Sequence, residues 1–175
     1  MKNVKTVTTD RKQGKLWQEQ EMAVSSHLDV MHMVKVYPDL EEQEIEGFGG
    51  AFTEAAAETF AELSPEAKTE FLEGYFGESG LRYVLGRMHM NSCDFALGNY
   101  TYVEEGDEDL HSFDISHDRA RIIPLVKQAM ECSGSREFGI LVSPWSPPAY
   151  MKTNGEMNHG GKLLDRYRKL WATIM

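Results

Sequence analysis

LRYVLGRMHMNSCDFALGNYTY, from Leu81 to Tyr102, is the stretch of sequence that decides how the chain folds. It begins with aliphatic and aromatic residues that favour a β-strand. From Gly86 onward, polar side chains follow one another too densely for a buried strand interior. Because strand residues alternate between faces, Leu85, Arg87 and His89 share one side. A strand whose far end turns polar and enters a loop is typical of a ligand site on a parallel α/β sheet.

The polar end of this strand has two interpretations from its residues alone. In the first, Arg87 and Asp94 form a structural ion pair that stabilises the strand end. In the second, both side chains face a ligand, which requires other polar or aromatic groups to converge on them from neighbouring strands. The rest of the chain must decide between the two.

Composition limits the classes of protein that the chain can belong to. Its 175 residues suffice for one domain, and 41% apolar with 26% charged residues is typical of a soluble globular protein. A net charge of −10 without a long basic run argues against nucleic acid and anionic membranes as partners. Cys93 and Cys132 lie too far apart for a zinc motif, so we expect reduced thiols. No signal peptide and no apolar run of roughly 20 residues is found, so we expect a cytoplasmic protein without a membrane span.

Residues 1–41 have the composition of β structure, and no helical pattern interrupts them. The segment is too short to form a domain alone, so its strands should belong to a side sheet. The predicted strands are Val4 to Thr9, a second that opens at Leu16 and Trp17, and Leu28 to Tyr37, which alternates in hydrophobicity.

From Glu42 onward the pattern alternates between strands and helices. Such alternation predicts a parallel sheet, in which the loops that follow the strands gather at one edge. The first predicted unit is a strand into Gly49-Gly50, where the glycines allow a close backbone approach or a turn, followed by a helix over residues 51–63 with Thr53 as N-cap and a helix capped by Ser64 with Pro65 in its first turn. The second unit is a strand from Leu81 to Met90 and a helix capped by Ser116 that kinks or restarts at Pro124. The third unit is a strand from Phe138 to Val142, covered on both faces, and a helix from Lys162.

Several loops carry candidate chemistry. The acidic segment EEGDED, residues 104–109, could ligate calcium, but its spacing fits no EF-hand and a solvated loop is favoured. GFGG, residues 47–50, lacks the other residues of a phosphate-binding loop. SPWSPPAYMKTNG, residues 143–155, is stiffened by prolines and presents Trp145 either as a binding platform or as a cap on the core.

Convergence at one sheet edge favours the binding-site interpretation for Asp94 and Trp145. An indole packs against the apolar C–H face of a sugar ring, and a carboxylate accepts hydrogen bonds from adjacent hydroxyls. The pair therefore indicates a carbohydrate ligand.

Three motifs in order carry a resemblance to a known family: GFGGAFTEAAA at 47–57, LGRMHMNSCDF at 85–95 and SPWSPPAYMKTNG at 143–155. They resemble the N-terminal part of glycoside hydrolase family 30, which includes glucosylceramidases and β-1,6-glucanases. The resemblance covers roughly residues 43–175. It implies an α/β fold in which residues 42–175 are the first three βα units of a (β/α)8 TIM barrel, and residues 1–41 are a β segment of a side β-sandwich.

The resemblance also implies roles for individual residues. Asp94 and Trp145 would contact the sugar next to the scissile bond, Arg87 would lie on the barrel floor, and Phe95 would line the same pocket. The substrate would be a carbohydrate, with water as the second substrate and no cofactor or metal. The family is retaining, so it uses two glutamates about 5–5.5 Å apart. Its acid/base motif, Asn-Glu-Pro, does not occur in this chain, and we expect both glutamates beyond Met175.

These observations lead to one reading and two alternatives. The chain is expected to be the N-terminal part of a retaining β-glycosidase of the glucosylceramidase type, inactive alone. It could instead be a non-catalytic carbohydrate-binding half-barrel or a truncated inactive fragment. The residues do not select between glucose, xylose and other β-linked sugars, and ceramide does not follow from them. Three βα units leave an open sheet edge, so we expect self-association through it or a partly molten chain.

Overall fold

The computed structural model describes residues 3–23, 34–134 and 136–175. The chain divides into two compact units, Met1–Glu44 and Ile45–Met175. No helix in the described ranges has the length and apolar character needed to cross a membrane. The elements are β1 (Asn3–Asp10), β2 (Lys15–Ala23), β3 (Gly49–Phe52), α1 (Glu54–Glu62), α2 (Pro65–Phe76), β4 (Leu85–Met90), α3 (Ser116–Ala120), α4 (Ile122–Cys132), β5 (Gly139–Pro144) and α5 (Arg168–Ile174), with 3₁₀ turns at Ala149–Met151 and Asp165–Tyr167.

The first unit contains an antiparallel hairpin of β1 and β2, which confirms two predicted strands. Gly14 turns the chain between them at a positive φ of 66°. The third predicted strand, Leu28 to Tyr37, lies in part outside the described residues. Its described end, residues 34–37, is not a strand, and Val34 is 90% exposed. The assignment of residues 1–41 to a side β-sandwich stays a prediction.

The second unit is built on a parallel sheet in the order β3-β4-β5, as the alternating pattern predicted. One face of the sheet is covered by α1, α2 and α4. The opposite face is open in the described part of the chain, where Leu141 is 64% exposed. The prediction that the third strand is covered on both faces is therefore wrong, because β5 has a helical layer on one side only. The buried core between sheet and helices consists of Phe52, Ala57, Phe60, Phe76, Ile122, Leu125, Val126 and Ala129.

Glycines bring β3 and β4 unusually close together. Gly49 lies opposite Leu85, and a Cβ added to it would lie 1.7 Å from the Leu85 carbonyl oxygen. Gly49 and Gly50 both belong to the strand, and the predicted close backbone approach is found at Gly49, whereas a Cβ added to Gly50 would meet only a ring atom of Tyr83 at 3.8 Å. Because β3 continues to Phe52, Ala51 and Phe52 belong to the strand, and α1 begins at Glu54, directly after the predicted cap Thr53.

Two predicted helix starts are confirmed by their caps. The Thr53 hydroxyl accepts from the Ala56 N–H at 3.2 Å, and the Ser64 hydroxyl accepts from the Ala67 N–H at 3.2 Å. These side chains satisfy amides that the first turn of a helix leaves unpaired.

The central strand begins later than predicted, at Leu85 instead of Leu81. Arg82 has a positive φ of 56°, which interrupts the extended backbone. The Leu81 and Tyr83 amides donate to Gly74 and Tyr75 at the end of α2. The third strand is likewise displaced, to Gly139–Pro144 from the predicted 138–142.

The two remaining helix predictions need correction. The break before Pro124 is real, but it falls at Arg121, which separates α3 from α4. Ser116 is the first residue of α3 rather than its cap, since the Ser116 N–H and hydroxyl both donate to Asp114. The last helix begins at Arg168 instead of Lys162, because residues 162–164 pair with 151–153 in extended geometry.

We predict that Gly49→Ala lowers the free energy of unfolding by about 3 kcal/mol, because its Cβ collides with the backbone of β4. Gly74→Ala is the control: it lies inside α2 with no atom within 4 Å of the added Cβ. It should raise stability by about 0.5–1 kcal/mol. Urea denaturation of both variants measures the difference, and equal midpoints would contradict the close packing of β3 on β4.

Candidate functional site

The carboxyl ends of β4 and β5 lie side by side, which places their two loops together. Met90 is opposite Pro144 in the parallel register, and the Trp145 N–H donates to the Met90 carbonyl at 3.2 Å. The loop that carries Asp94 and the loop that carries Trp145 therefore leave the sheet from adjacent positions.

Asn91 joins these two loops. It is fully buried and has a positive φ of 59°, a conformation that Asn adopts more readily than most residues. Its amide nitrogen donates to the Ser146 carbonyl at 3.0 Å, and its amide oxygen accepts from the Tyr102 N–H at 3.0 Å. One buried side chain at the start of the β4 loop thus contacts the β5 loop and a later part of its own loop.

Arg87 points to the open face of the sheet and contacts the β5 end. Its guanidinium donates to the Ser143 hydroxyl at 3.1 Å and lies 4.7 Å from the centroid of the Trp145 ring. Within the described residues it makes these contacts rather than an ion pair with Asp94, so that interpretation is wrong. Trp145 is 42% exposed, so it does not serve as a buried cap on the core. The cation–π contact fixes one face of the indole against Arg87.

Two cavities meet at Trp145. The first, here called the arginine cavity, has a volume of about 320 Å³ and contains Arg87, Phe95 and Trp145 in its lining. The second, the aspartate cavity, has a volume of about 460 Å³ and is lined by Asp94 and Trp145 together with Asn99, Lys152 and Asn158. Each is of the size that small-molecule sites occupy. The structure brings Asp94 and Trp145 to one cavity, and Arg87, Phe95 and Trp145 to the other; a role for these residues in sugar binding stays a prediction.

Lys152 shapes the wall of the aspartate cavity. It is 8% exposed, and its ammonium donates to the Met157 carbonyl at 2.7 Å. The Ser146 hydroxyl donates to the same carbonyl at 2.7 Å. These donors hold the segment around Met157 against the β5 loop.

A buried polar network joins the β4 loop to α3. Asp118 of α3 is 1% exposed and accepts hydrogen bonds from the hydroxyls of Tyr100, at 2.6 Å, and Tyr102. Burial, reinforced by the hydrogen bond to Asp118, raises the pKa of each of these phenols well above its ordinary value. Both tyrosines therefore remain protonated donors at any physiological pH.

Other polar groups have distinct environments at the same edge. Burial is the main cause that raises the pKa of Cys93, so its thiol stays protonated at neutral pH. His89 Nδ1 lies 2.7 Å from the Asn91 carbonyl oxygen, whereas His89 Nε2 is buried without a partner in the described structure.

No group of three or more His, Cys, Asp or Glu side chains in the described ranges is arranged to hold a metal ion.

The acidic loop at residues 104–109 is organised by its own hydrogen bonds. The hydroxyl and amide of Ser112 both donate to Asp107, at 2.5 and 2.7 Å, and lower the pKa of its carboxyl to about 2. The Asp107 carboxylate thus accepts hydrogen bonds that close a turn of this loop.

Sequence reasoning missed several residues that build this site, among them Asn91, Lys152, Asp118 and the pair Glu54 and His117. One signal could have indicated the first: an Asn directly after a strand favours a left-handed turn. Glu54, His117 and Asp118 carry no local signal, because their partners lie 16 to 63 positions away along the chain.

A parallel sheet with helices on one face, and with polar and aromatic cavities at the carboxyl ends of its strands, defines an α/β protein with a candidate ligand site at one edge of the sheet. Comparison with known proteins gives the particular family. The family model described as "Glycosyl hydrolase family 30 TIM-barrel domain" matches residues 45–175. The chain belongs to glycosyl hydrolase family 30.

Individual relatives agree with this family. Lysosomal acid glucosylceramidase of Mus musculus is 36% identical over 146 residues, which cover 80% of this chain and 28% of that protein. Putative glucosylceramidase 4 of Caenorhabditis elegans is 34% identical over 172 residues, or 95% of this chain and 33% of the relative. The crystal structure of SrfJ from Salmonella typhimurium matches with a TM-score of 0.80 at 38% identity, covering 96% of this chain and 38% of SrfJ. The chain thus spans about a third or less of the length of these curated relatives.

We predict that the free energy of unfolding falls as the pH rises above about 10, the ordinary pKa of tyrosine. Because the pKa of Tyr100 and Tyr102 is raised in the folded chain, the folded state keeps protons that the unfolded state releases. The loss should reach up to about 1.4 kcal/mol per pH unit for each phenol. Tyr102→Phe should reduce the slope, whereas Tyr37→Phe, at an exposed position, should not.

Denaturant titrations across this pH range measure the slope. Ultraviolet absorbance of tyrosinate gives a second readout, in which two phenols ionise only when the chain unfolds. Ionisation of all seven tyrosines near pH 10 in the folded chain would contradict the buried network.

Proposed function

We propose that this chain supplies the sugar-binding part of a retaining β-glycosidase that hydrolyses β-linked glucosides or related glycosides. In this proposal the chain forms the first three βα units of the family's (β/α)8 barrel. The observation that carries the proposal is the joint position of Asp94 and Trp145 in one cavity at the carboxyl edge of a glycosyl hydrolase family 30 sheet. The similarity to glucosylceramidases supports a glucoside as substrate.

The proposed binding mode uses the two kinds of group that sugars need. The Asp94 carboxylate accepts from adjacent hydroxyls, and the indole of Trp145 packs on the C–H face of the ring. Since Arg87 lies over one face of the indole, the sugar would use the other face or the ring edge. Phe95, which is 59% exposed, would add an apolar wall.

The catalytic step requires more than these cavities hold. A retaining glycosidase places an acid/base and a nucleophilic carboxylate about 5–5.5 Å apart. Of the described residues that line the two cavities, Asp94 is the only one with a carboxylate. In this proposal both catalytic glutamates are contributed by parts of the barrel other than these 175 residues, and the chain by itself binds a sugar without cleaving it.

We predict that the chain binds methyl β-glucoside or methyl β-xyloside and does not turn over an aryl β-glucoside. Asp94→Asn and Trp145→Ala should each weaken binding about tenfold, the effect of losing about 1.4 kcal/mol of contact. Asp109→Asn and Trp17→Ala are matched controls at exposed positions that do not line the cavities. Calorimetric titration measures the affinities. Equal affinities for the site variants and the controls would overturn the proposed site.

The second candidate function is a non-catalytic carbohydrate-binding half-barrel. It is favoured by the same observation that the cavities contain a single carboxylate. Mixing the chain with the part of Mus musculus lysosomal acid glucosylceramidase that this chain does not match discriminates the two, since recovered turnover of the aryl β-glucoside supports the glycosidase. Binding without any turnover in the mixture supports the binding module.

We also propose that the open sheet pairs with further strands. In the described structure β3 and β5 each pair with β4 alone, which leaves an unpaired edge on both sides. We predict that the isolated chain associates through these edges in a concentration-dependent way. Sedimentation velocity over a hundredfold range of concentration tests this, and a sharply folded monomer throughout would contradict it.

A further inference from the structure

The loop that carries Asp94 and Phe95 leaves the sheet after β4, and it is held in place by α1. The Ala55 N–H, in the first turn of α1, donates to the Phe95 carbonyl at 3.0 Å. The Leu97 N–H donates to the Glu54 carboxylate at 2.9 Å. Two hydrogen bonds in opposite directions thus fix the backbone on either side of Ala96. The exposed side chain of Asp94 directly precedes this fixed segment.

Glu54 is unusually placed for an acid, since it is 1% exposed. A buried carboxylate is tolerated when it is paired and hydrogen-bonded. Its second oxygen lies 2.6 Å from Nε2 of His117 in α3. The His117 ring in turn stacks on Tyr100, with 3.8 Å between ring centroids. Glu54 and His117 therefore contact the loop at two further positions, Leu97 and Tyr100.

We propose that Glu54 is the positioning residue of the sugar site: it holds residues 95–97 and thereby sets where Asp94 and Phe95 stand at the two cavities. This inference rests on the proposed function for its consequence in sugar binding, but the contacts that define it are independent of any sugar. Glu54 lines neither of the two cavities and acts through the loop backbone.

The arrangement distinguishes a hydrogen-bond role from a charge role. A Gln at this position keeps an oxygen that accepts from Leu97 and an NH₂ that can donate to neutral His117. An Ala removes both contacts. Glu58 provides the matched control: it lies one turn further along α1, forms an ion pair with Arg121, and makes no hydrogen bond to the loop among the residues that the structure describes.

The experiment compares wild type, Glu54→Ala, Glu54→Gln and Glu58→Ala by amide hydrogen exchange and by affinity for methyl β-glucoside. In wild type the Leu97 amide should be protected although its side chain is 68% exposed. Glu54→Ala should speed exchange at Leu97 about tenfold or more and weaken glucoside binding about tenfold, as expected for the loss of a hydrogen bond to a charged group. Glu54→Gln should remain within about threefold of wild type in both measurements, and Glu58→Ala should match wild type.

Three results would overturn the inference. The first is an unprotected Leu97 amide in wild type, a measurement that does not require any variant to fold. The second is an unchanged exchange rate and affinity in Glu54→Ala. The third is an equal loss in Glu54→Gln, which would assign the effect to charge. If wild type binds no glucoside, the proposed function fails, and the exchange rates alone still decide whether Glu54 holds the loop.

Discussion

The buried amide of Asn91 is the constraint on which the candidate site depends. Each half of this amide satisfies a backbone group of a different loop, Ser146 on one side and Tyr102 on the other. An unsatisfied buried polar group costs about 1–3 kcal/mol, so the two loops are stable in this arrangement only together. The relative placement of Asp94 and Trp145 is therefore a property of the pair of loops. Neither loop defines the site alone.

The β4 loop is also held by buried polar groups on the helices beside it. Asp118 accepts from two phenols, and Glu54 accepts from a loop amide and pairs with His117. Such networks are stabilising when every member is satisfied, and costly when one is lost. They join α1, α3 and the β4 loop. The carboxyl edge of the sheet is thus held by hydrogen bonds, and the loops that leave it carry Asp94, Phe95 and Trp145, the side chains available to a ligand.

Trp145 lines both cavities, and its contact with Arg87 determines which surface of the indole a ligand can reach. The guanidinium covers part of the indole and is itself held by Ser143. An aromatic ring fixed in this way loses little freedom when a ligand packs on its remaining surface, which favours binding by a preorganised site. In the proposed function, the Phe95 ring at the arginine cavity and the Asp94 carboxylate at the aspartate cavity suit a molecule with both apolar and hydroxyl-bearing surfaces. A pyranose, with C–H faces and a rim of hydroxyls, is such a molecule.

The sequence by itself determined the order of strands and helices, the parallel sheet, the caps at Thr53 and Ser64, and the gathering of polar and aromatic residues after the strands. These follow from periodicity and from side chains that act on their own neighbours. Tertiary structure alone decided that Gly49 is required inside a strand, because the backbone of Leu85 in the neighbouring strand leaves no room for a side chain there. It also decided that Leu81 and Tyr83 bond to the end of α2, and that Glu54 pairs with His117, 63 positions away. A local pattern carries no information about a partner that only folding brings within reach.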